Sequence, residues 1–211
     1  MYIRDRTREG SIRADRVVLA CNGYLGSLEK SLASKILPMN NYIVATEVLD
    51  NQVVKKINPK DIAFADSRFV INYFRLSADK RLLFGGGENY SQELSSNIIP
   101  IVTKPLEKIY PFLKGVKIDY AWGGKLAITM NRLPFFTTLY QDKVISAQGY
   151  SGQGVALASY SGKLVSEKIT GNGKTFDIMA KIPRQSFPGG RFLRNPSMKL
   201  GMLYYSLMDR L

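Results

Sequence analysis

The stretch from Val144 to Gly154 constrains the fold more than any other part of the chain. It reads Val-Ile-Ser-Ala-Gln-Gly-Tyr-Ser-Gly-Gln-Gly. An apolar run with strand character meets a glycine-rich turn. Beyond the turn, Val155, Leu157, Tyr160, Leu164, Val165 and Ile169 recur at steps of three and four. The pattern predicts strand, tight turn, then helix. Glycines at 149, 152 and 154 let the backbone reverse sharply and leave room for another group to approach. The N–H groups that open a helix favour negative charge or electron-rich oxygen. On pattern alone the turn serves equally well as an ordinary strand-to-helix connection.

A second apolar run, Val17-Val18-Leu19-Ala20-Cys21, ends at Asn22-Gly23. It suits a strand buried on both faces, as in a parallel sheet. Ligands sit beyond the carboxyl ends of such strands, so Asn22-Gly23 is either a contact or a plain turn. A short strand within residues 1–8 precedes it, and a helix over Ser27–Lys35 follows. After Pro38 breaks the pattern, Asn41–Val48 is β-rich, and Val53–Ile57 is a short helix or a loop. Phe69–Leu76 and Arg81–Gly87 flank the turn Ser77-Ala78-Asp79-Lys80, an antiparallel hairpin. Ile98–Phe112 carries a helical stripe, and Gly115–Trp122 reads as a strand. After Gly171-Asn172-Gly173 the chain turns irregular, and Met198–Leu211 forms a last amphipathic segment with a packing face. The order predicts an α/β layer interrupted by an α+β insertion.

Histidine is absent and Cys21 is the single cysteine. That removes Ser-His-Asp and Cys-His catalysis and His- or Cys-rich metal sites, so no metal and no catalytic side chain is expected. Reactive chemistry would come from a bound cofactor. No apolar run reaches transmembrane length and the N-terminus lacks a signal-peptide core, so a cytoplasmic setting is expected. The net charge of +13 points to anionic partners. The basic residues are dispersed, with no run of five. That suits solvated surface and an anionic cofactor, and nucleic acid is not expected.

Four segments together resemble the C-terminal half of the D-amino-acid oxidase (DAO) superfamily of FAD-dependent amino-acid and amine oxidases. Ala14–Gly23 looks like the family's second FAD-side strand, and Tyr73-Phe74-Arg75 through Gly87 like its substrate-domain hairpin. Trp122-Gly123-Gly124 with Thr129, Asn131 and Pro134 resembles a W-G…T-x-D-x-x-P segment, with Asn131 at the commoner acidic position. Gly149–Gly154 resembles the closing flavin motif. The tail looks most like the gamma-glutamylputrescine oxidoreductase branch.

The resemblance implies a glutathione-reductase-like FAD domain, residues 1–36 and 122–180, interrupted by an antiparallel substrate domain, 37–121, with an extension at 181–211. It implies an FAD that accepts a hydride from the carbon next to a substrate nitrogen, after which the imine hydrolyses. It places Ala20, Asn22 and Gly23 near the dinucleotide, and Gly149, Tyr150, Ser151, Gly152, Gln153, Gly154 and Val155 near the flavin ring. Tyr73, Arg75 and Trp122 fall on the substrate side, where Arg75 suits a carboxylate. Cys21 lies away from the Trp122 segment that carries the covalent flavin link in some members, so non-covalent FAD is expected. Ala156 stands where some relatives place an O₂-activating lysine, which leaves the electron acceptor open. No G-x-G-x-x-G unit occurs, so the pyrophosphate site is absent and the FAD site partial. The expectation is therefore the C-terminal portion of an amine or amino-acid oxidoreductase whose N-terminal half is carried on another chain, lost from a degraded gene, or removed by truncation. The alternative is an inactive remnant or interaction module.

Overall fold

The computed structural model describes residues 3–68, 71–89 and 93–189, with Leu193, Pro196, Leu200 and Gly201 beyond them. The amphipathic segment expected over 198–211 lies outside the described residues apart from Leu200 and Gly201. The strands are β1 (Ile3–Arg6), β2 (Ser11–Ala14), β3 (Val17–Leu19), β4 (Leu37–Thr46), β5 (Phe64–Ala65), β6 (Tyr73–Leu76), β7 (Leu82–Asn89), β8 (Ile118–Ile128), β9 (Phe135–Leu139) and β10 (Val144–Gln148). The helices are α1 (Lys30–Ala33), α2 (Asn51–Ile57), α3 (Ile99–Ile109), α4 (Gly154–Ile169) and α5 (Lys174–Ala180). The chain divides into two compact units, residues 1–38 with 126–195, and residues 39–125 with 196–211.

In the first unit β1 and β2 form an antiparallel hairpin. A three-stranded sheet follows in the order β3-β10-β9. β3 runs parallel to β10, with Val17, Val18 and Leu19 opposite Val144, Ile145 and Ser146. Strand alternation gives this sheet two working faces. Ile145 and Ala147 join Leu164, Val165, Phe136 and Phe176 in a core formed with α4 and α5. Val144 joins Leu19, Leu25, Leu32, Ala127 and Phe135 in the opposite core.

Two expectations change here. The helix expected over 27–35 shrinks to α1, whose start is fixed by Glu29 accepting from the Ser31 N–H. The stretch after Gly173, read as irregular, contains α5, whose Phe176 is buried edge-on against Phe136 with centroids 5.4 Å apart. A seven-residue helix is too short to show a periodic stripe. The apolar stripe of α4 is not uniformly core: Leu164 and Val165 are buried, but Val155 is 99% and Tyr160 49% exposed.

In the second unit a five-stranded sheet has the order β5-β6-β7-β4-β8, and its described ladders β5–β6, β6–β7 and β4–β7 are antiparallel. Pro38 does not end the β pattern; it sits at the second position of β4, near the strand start where proline is tolerated. Gly123-Gly124 lies inside β8 with Trp122 rather than after the strand, and Gly123 lets the Tyr42 ring close on it. Register stacks Phe64 opposite Phe74 and Phe74 opposite Phe84, with ring centroids 5.2 and 5.4 Å apart. The core gathers Tyr42, Val44, Leu82 and Phe84 with Ile57 of α2 and Val102 and Leu106 of α3. Asp50 starts α2 by accepting from the Gln52 and Val53 N–H groups at 2.8 and 2.9 Å. The expected combination of an α/β layer with an antiparallel α+β block is what the chain adopts.

Candidate functional site

The carboxyl ends of β3 and β10 lie side by side because the two strands are parallel neighbours. Both ends feed tight turns. Asn22 enters a short 3-10 turn, Asn22–Tyr24, with a left-handed φ of 48°. Its Oδ1 accepts from the Gly149 N–H at 3.2 Å and ties the first turn to the second. Gly149 has φ 76°, and a Cβ there would lie 2.7 Å from the Thr129 methyl. Ser151 completes the packing: its N–H donates to the Ala127 carbonyl at 2.9 Å, and its Oγ accepts from the Thr129 N–H at 3.2 Å. Gly152, at φ 96°, faces open space, and a Cβ added there would meet nothing within 4 Å.

Ala20, Asn22, Ala147, Tyr150, Gly154 and Gly162 line one cleft beside α4. Tyr150 is 8% exposed and donates to the Ala147 carbonyl at 3.0 Å, which fixes its ring at the cleft wall. Val18 stands on the same side as Ile145 and is 43% exposed, so β3 is not covered on both faces. Helix α4 opens with no side-chain cap and no acidic residue in its first turn. Its leading N–H groups and dipole therefore remain available to an electron-rich group. Of the residues expected near a cofactor, Ala20, Asn22, Tyr150 and Gly154 share this cleft. Gly23 is buried in its turn, Gln153 precedes α4, and Val155 points fully outward.

Gln148 was not among the expected site residues. It is 0% exposed, and among the described residues neither Oε1 nor Nε2 has a hydrogen-bond partner. Leaving a buried polar group unmet costs about 1–3 kcal/mol. The sequence signal for it was a polar residue closing an apolar strand.

In the second unit, Tyr73 lies across the sheet. Its ring covers Gly85 on β7, taking the space that a Cβ there would need, and its hydroxyl donates to Asn41 Oδ1 on β4. Arg75, two residues along β6, shares that face by strand alternation and is exposed. Its Nε donates to the Leu76 carbonyl at 3.2 Å, and among the described residues no ion pair engages it. Trp122 is 45% exposed on β8, three strand steps from β6, or about 14 Å at ordinary strand spacing. The fold thus brings Tyr73 and Arg75 together but not Trp122. Elsewhere on this unit, Arg81 bridges Asp79 and Asp119 at 2.7 and 2.6 Å. The Arg81 hydrogen bond, and after it that of Lys117, holds the Asp119 carboxyl below its ordinary range.

The chain is similar in sequence to some known proteins and in fold to others. Over 207 residues the chain is 40% identical to gamma-glutamylputrescine oxidoreductase of Escherichia coli, covering 98% of this chain and 48% of that protein. Over 204 residues it is 42% identical to the probable oxidoreductase OrdL of Rhizobium meliloti, covering 97% of this chain and 47% of that protein. The chain spans about half the length of these relatives. Among solved structures, fructosyl amine:oxygen oxidoreductase (Amadoriase I) from Aspergillus fumigatus superposes with a TM-score of 0.62 at 16% identity, over 82% of this chain and 44% of that one. L-proline dehydrogenase from P. horikoshii gives 0.59 at 23% identity, over 77% and 44%. Those two likenesses speak to the fold. The model of the DAO family, described as FAD dependent oxidoreductase, matches residues 2–168, and the chain belongs to that family.

Proposed function

We propose that this chain is the C-terminal portion of an FAD-dependent oxidoreductase that oxidises the C–N bond of an amine or amino acid. The observation that carries the reading is the junction of β3 and β10, where Asn22 Oδ1 binds the Gly149 N–H beside the uncapped start of α4. The residues present suit part of a flavin site. The Gly152 backbone is open to a planar group, and the orphaned Gln148 amide lies at the same strand end. When bound, FAD supplies the hydride acceptor for the carbon next to the substrate nitrogen.

The chain's own residues then have separate tasks. Asn22 holds the two turns in register, and Tyr150 walls the cleft. The α4 N-terminus would favour negative charge on a bound flavin. Residues 1–36 and 122–180 are assigned to the cofactor domain and 37–121 to the substrate domain, in which Tyr73 and Arg75 share a face and Arg75 suits a substrate carboxylate. Trp122 would act from the far strand. The name of the Escherichia coli relative favours a gamma-glutamylated amine as substrate. FAD is held without a covalent link, since Cys21, the single cysteine, lies between β3 and the Asn22 turn and not in the Trp122 segment.

The pyrophosphate contacts come from the N-terminal half found in the relatives. The test is to purify the chain with and without a segment corresponding to that half, add FAD, desalt, and record the visible spectrum. Retention of the flavin band only in the mixture, with amine-dependent bleaching, is the expected result. A mixture that never retains flavin refutes the reading and favours the second one, a non-enzymatic interaction module. The exposed Val18 and Val155 beside the cleft are the observation in that reading's favour.

A further inference from the structure

Strand β10 ends on a residue whose hydrogen bonding the fold leaves unfinished. Gln148 is fully enclosed, and among the described residues its Oε1 and Nε2 are the buried side-chain polar atoms without a partner. The polar groups around it are met: Ser146, on the same face, donates to the Leu19 carbonyl at 3.2 Å, and Asn22 accepts from the Gly149 N–H at 3.2 Å. Gln148 stands directly opposite Phe135, on the face that carries Val144 and away from Ala147 and its cleft. It is the last side chain of the strand before the glycine turn, at the carboxyl end of the parallel pair, where open α/β sheets seat ligands. Buried amides are nearly always satisfied, so an exception at such a place points to a partner outside this chain.

We infer that the Gln148 carboxamide pairs with the imide edge of the flavin ring, an inference that rests on the FAD reading above. A carboxamide offers an N–H donor and a C=O acceptor side by side. The pyrimidine edge of a flavin offers C=O, N–H and C=O in a row. The two meet as a cyclic pair of hydrogen bonds. The new pair replaces no protein hydrogen bond and its gain is realised only on binding.

Ring-only probes test this on the chain as it stands, because they need no pyrophosphate site. Lumiflavin and 3-methyllumiflavin, which lacks the imide N–H, are titrated by fluorescence quenching against the wild-type chain and Gln148→Leu. The wild type binds lumiflavin roughly tenfold more tightly than the methylated ring, and Gln148→Leu binds the two alike. Thermal unfolding of the ligand-free proteins gives the second arm. Leucine replaces an unmet amide with an apolar side chain, so it raises Tm by about 2–12 °C. A lower Tm for Gln148→Leu would show an amide satisfied by internal water and overturn the inference. So would equal affinity of the wild type for the two rings, or no binding of lumiflavin. FAD retention by the mixture of halves, unchanged by Gln148→Leu, would leave the FAD reading intact and remove only this contact.

Discussion

Replacing Gly149 with alanine probes the glycine turn at its tightest point. The residue sits at φ 76°, and the new Cβ would lie 2.7 Å from Thr129 Cγ2 and 3.3 Å from Phe135 Cβ. Two costs combine. A left-handed backbone costs alanine about 1–2 kcal/mol. Crowding a packed neighbour costs about 1–3 kcal/mol more. Thr129 has little room to yield, since it is 6% exposed and its hydroxyl donates to the Leu133 carbonyl at 2.8 Å. The sum, about 2–5 kcal/mol, is a large share of ordinary domain stability. Gly152→Ala is the control: φ is 96°, but nothing lies within 4 Å of the added methyl, so only the backbone cost of about 1–2 kcal/mol applies. Urea unfolding of the ligand-free proteins, followed by far-UV circular dichroism, reads the difference. With a slope of about 2 kcal/mol/M, the midpoint falls by about 1–2.5 M for Gly149→Ala and by about 0.5–1 M for Gly152→Ala. Equal shifts would refute the role given to the Thr129 contact, and an unshifted Gly149→Ala would refute both costs.

Gly152→Val carries the complementary expectation for binding: FAD retention by the reconstituted halves is lost, and an unchanged visible spectrum would count against placing the ring at this turn. Asn22→Ala leaves the Gly149 N–H without its acceptor and puts alanine at φ 48°, so urea unfolding shows a loss of about 1–3 kcal/mol. Leu106→Ala opens a cavity in the fully buried α3 face and costs about 2–5 kcal/mol in the same assay. Asp119 has a depressed folded-state pKa, so its pairing stabilises the fold above the ordinary carboxylate range and is lost as pH falls through the lowered value. Asp119→Asn is therefore less stable than wild type at neutral pH, and the gap narrows as acid protonates the wild-type carboxyl; a constant gap down through the carboxylate range would show that charge is not involved.

The glycine turn and its flanking strand and helix were legible because their signals are local in sequence. The continuous apolar run at 17–21 indicated a parallel strand, and β3 is one. What it could not reveal was coverage: Val18 shares a face with Ile145, yet one is 43% and the other 1% exposed. Periodicity likewise found the α4 stripe without showing that Val155 and Tyr160 point outward, since spacing defines a face and not its neighbour. The family resemblance groups Tyr73 and Trp122 on the substrate side. Their separation follows from the sheet order, in which β7 and β4 stand between their strands. Gln148 was hidden for a similar reason, because whether an amide finds a partner is decided by residues far away in the sequence.

The stacked phenylalanines bear on how this protein can change in length. Phe64, Phe74 and Phe84 meet ring on ring only while β5, β6 and β7 keep their registers. One residue inserted within β6 would exchange its faces, bringing Tyr73 or Arg75 to the place of Phe74 and breaking the column at both of its joints. The same insertion in the turn at Ser77–Lys80 leaves every ring where it is. Descendants of this sequence can thus lengthen at the tip of the hairpin, while the spacing between its aromatic rungs stays fixed.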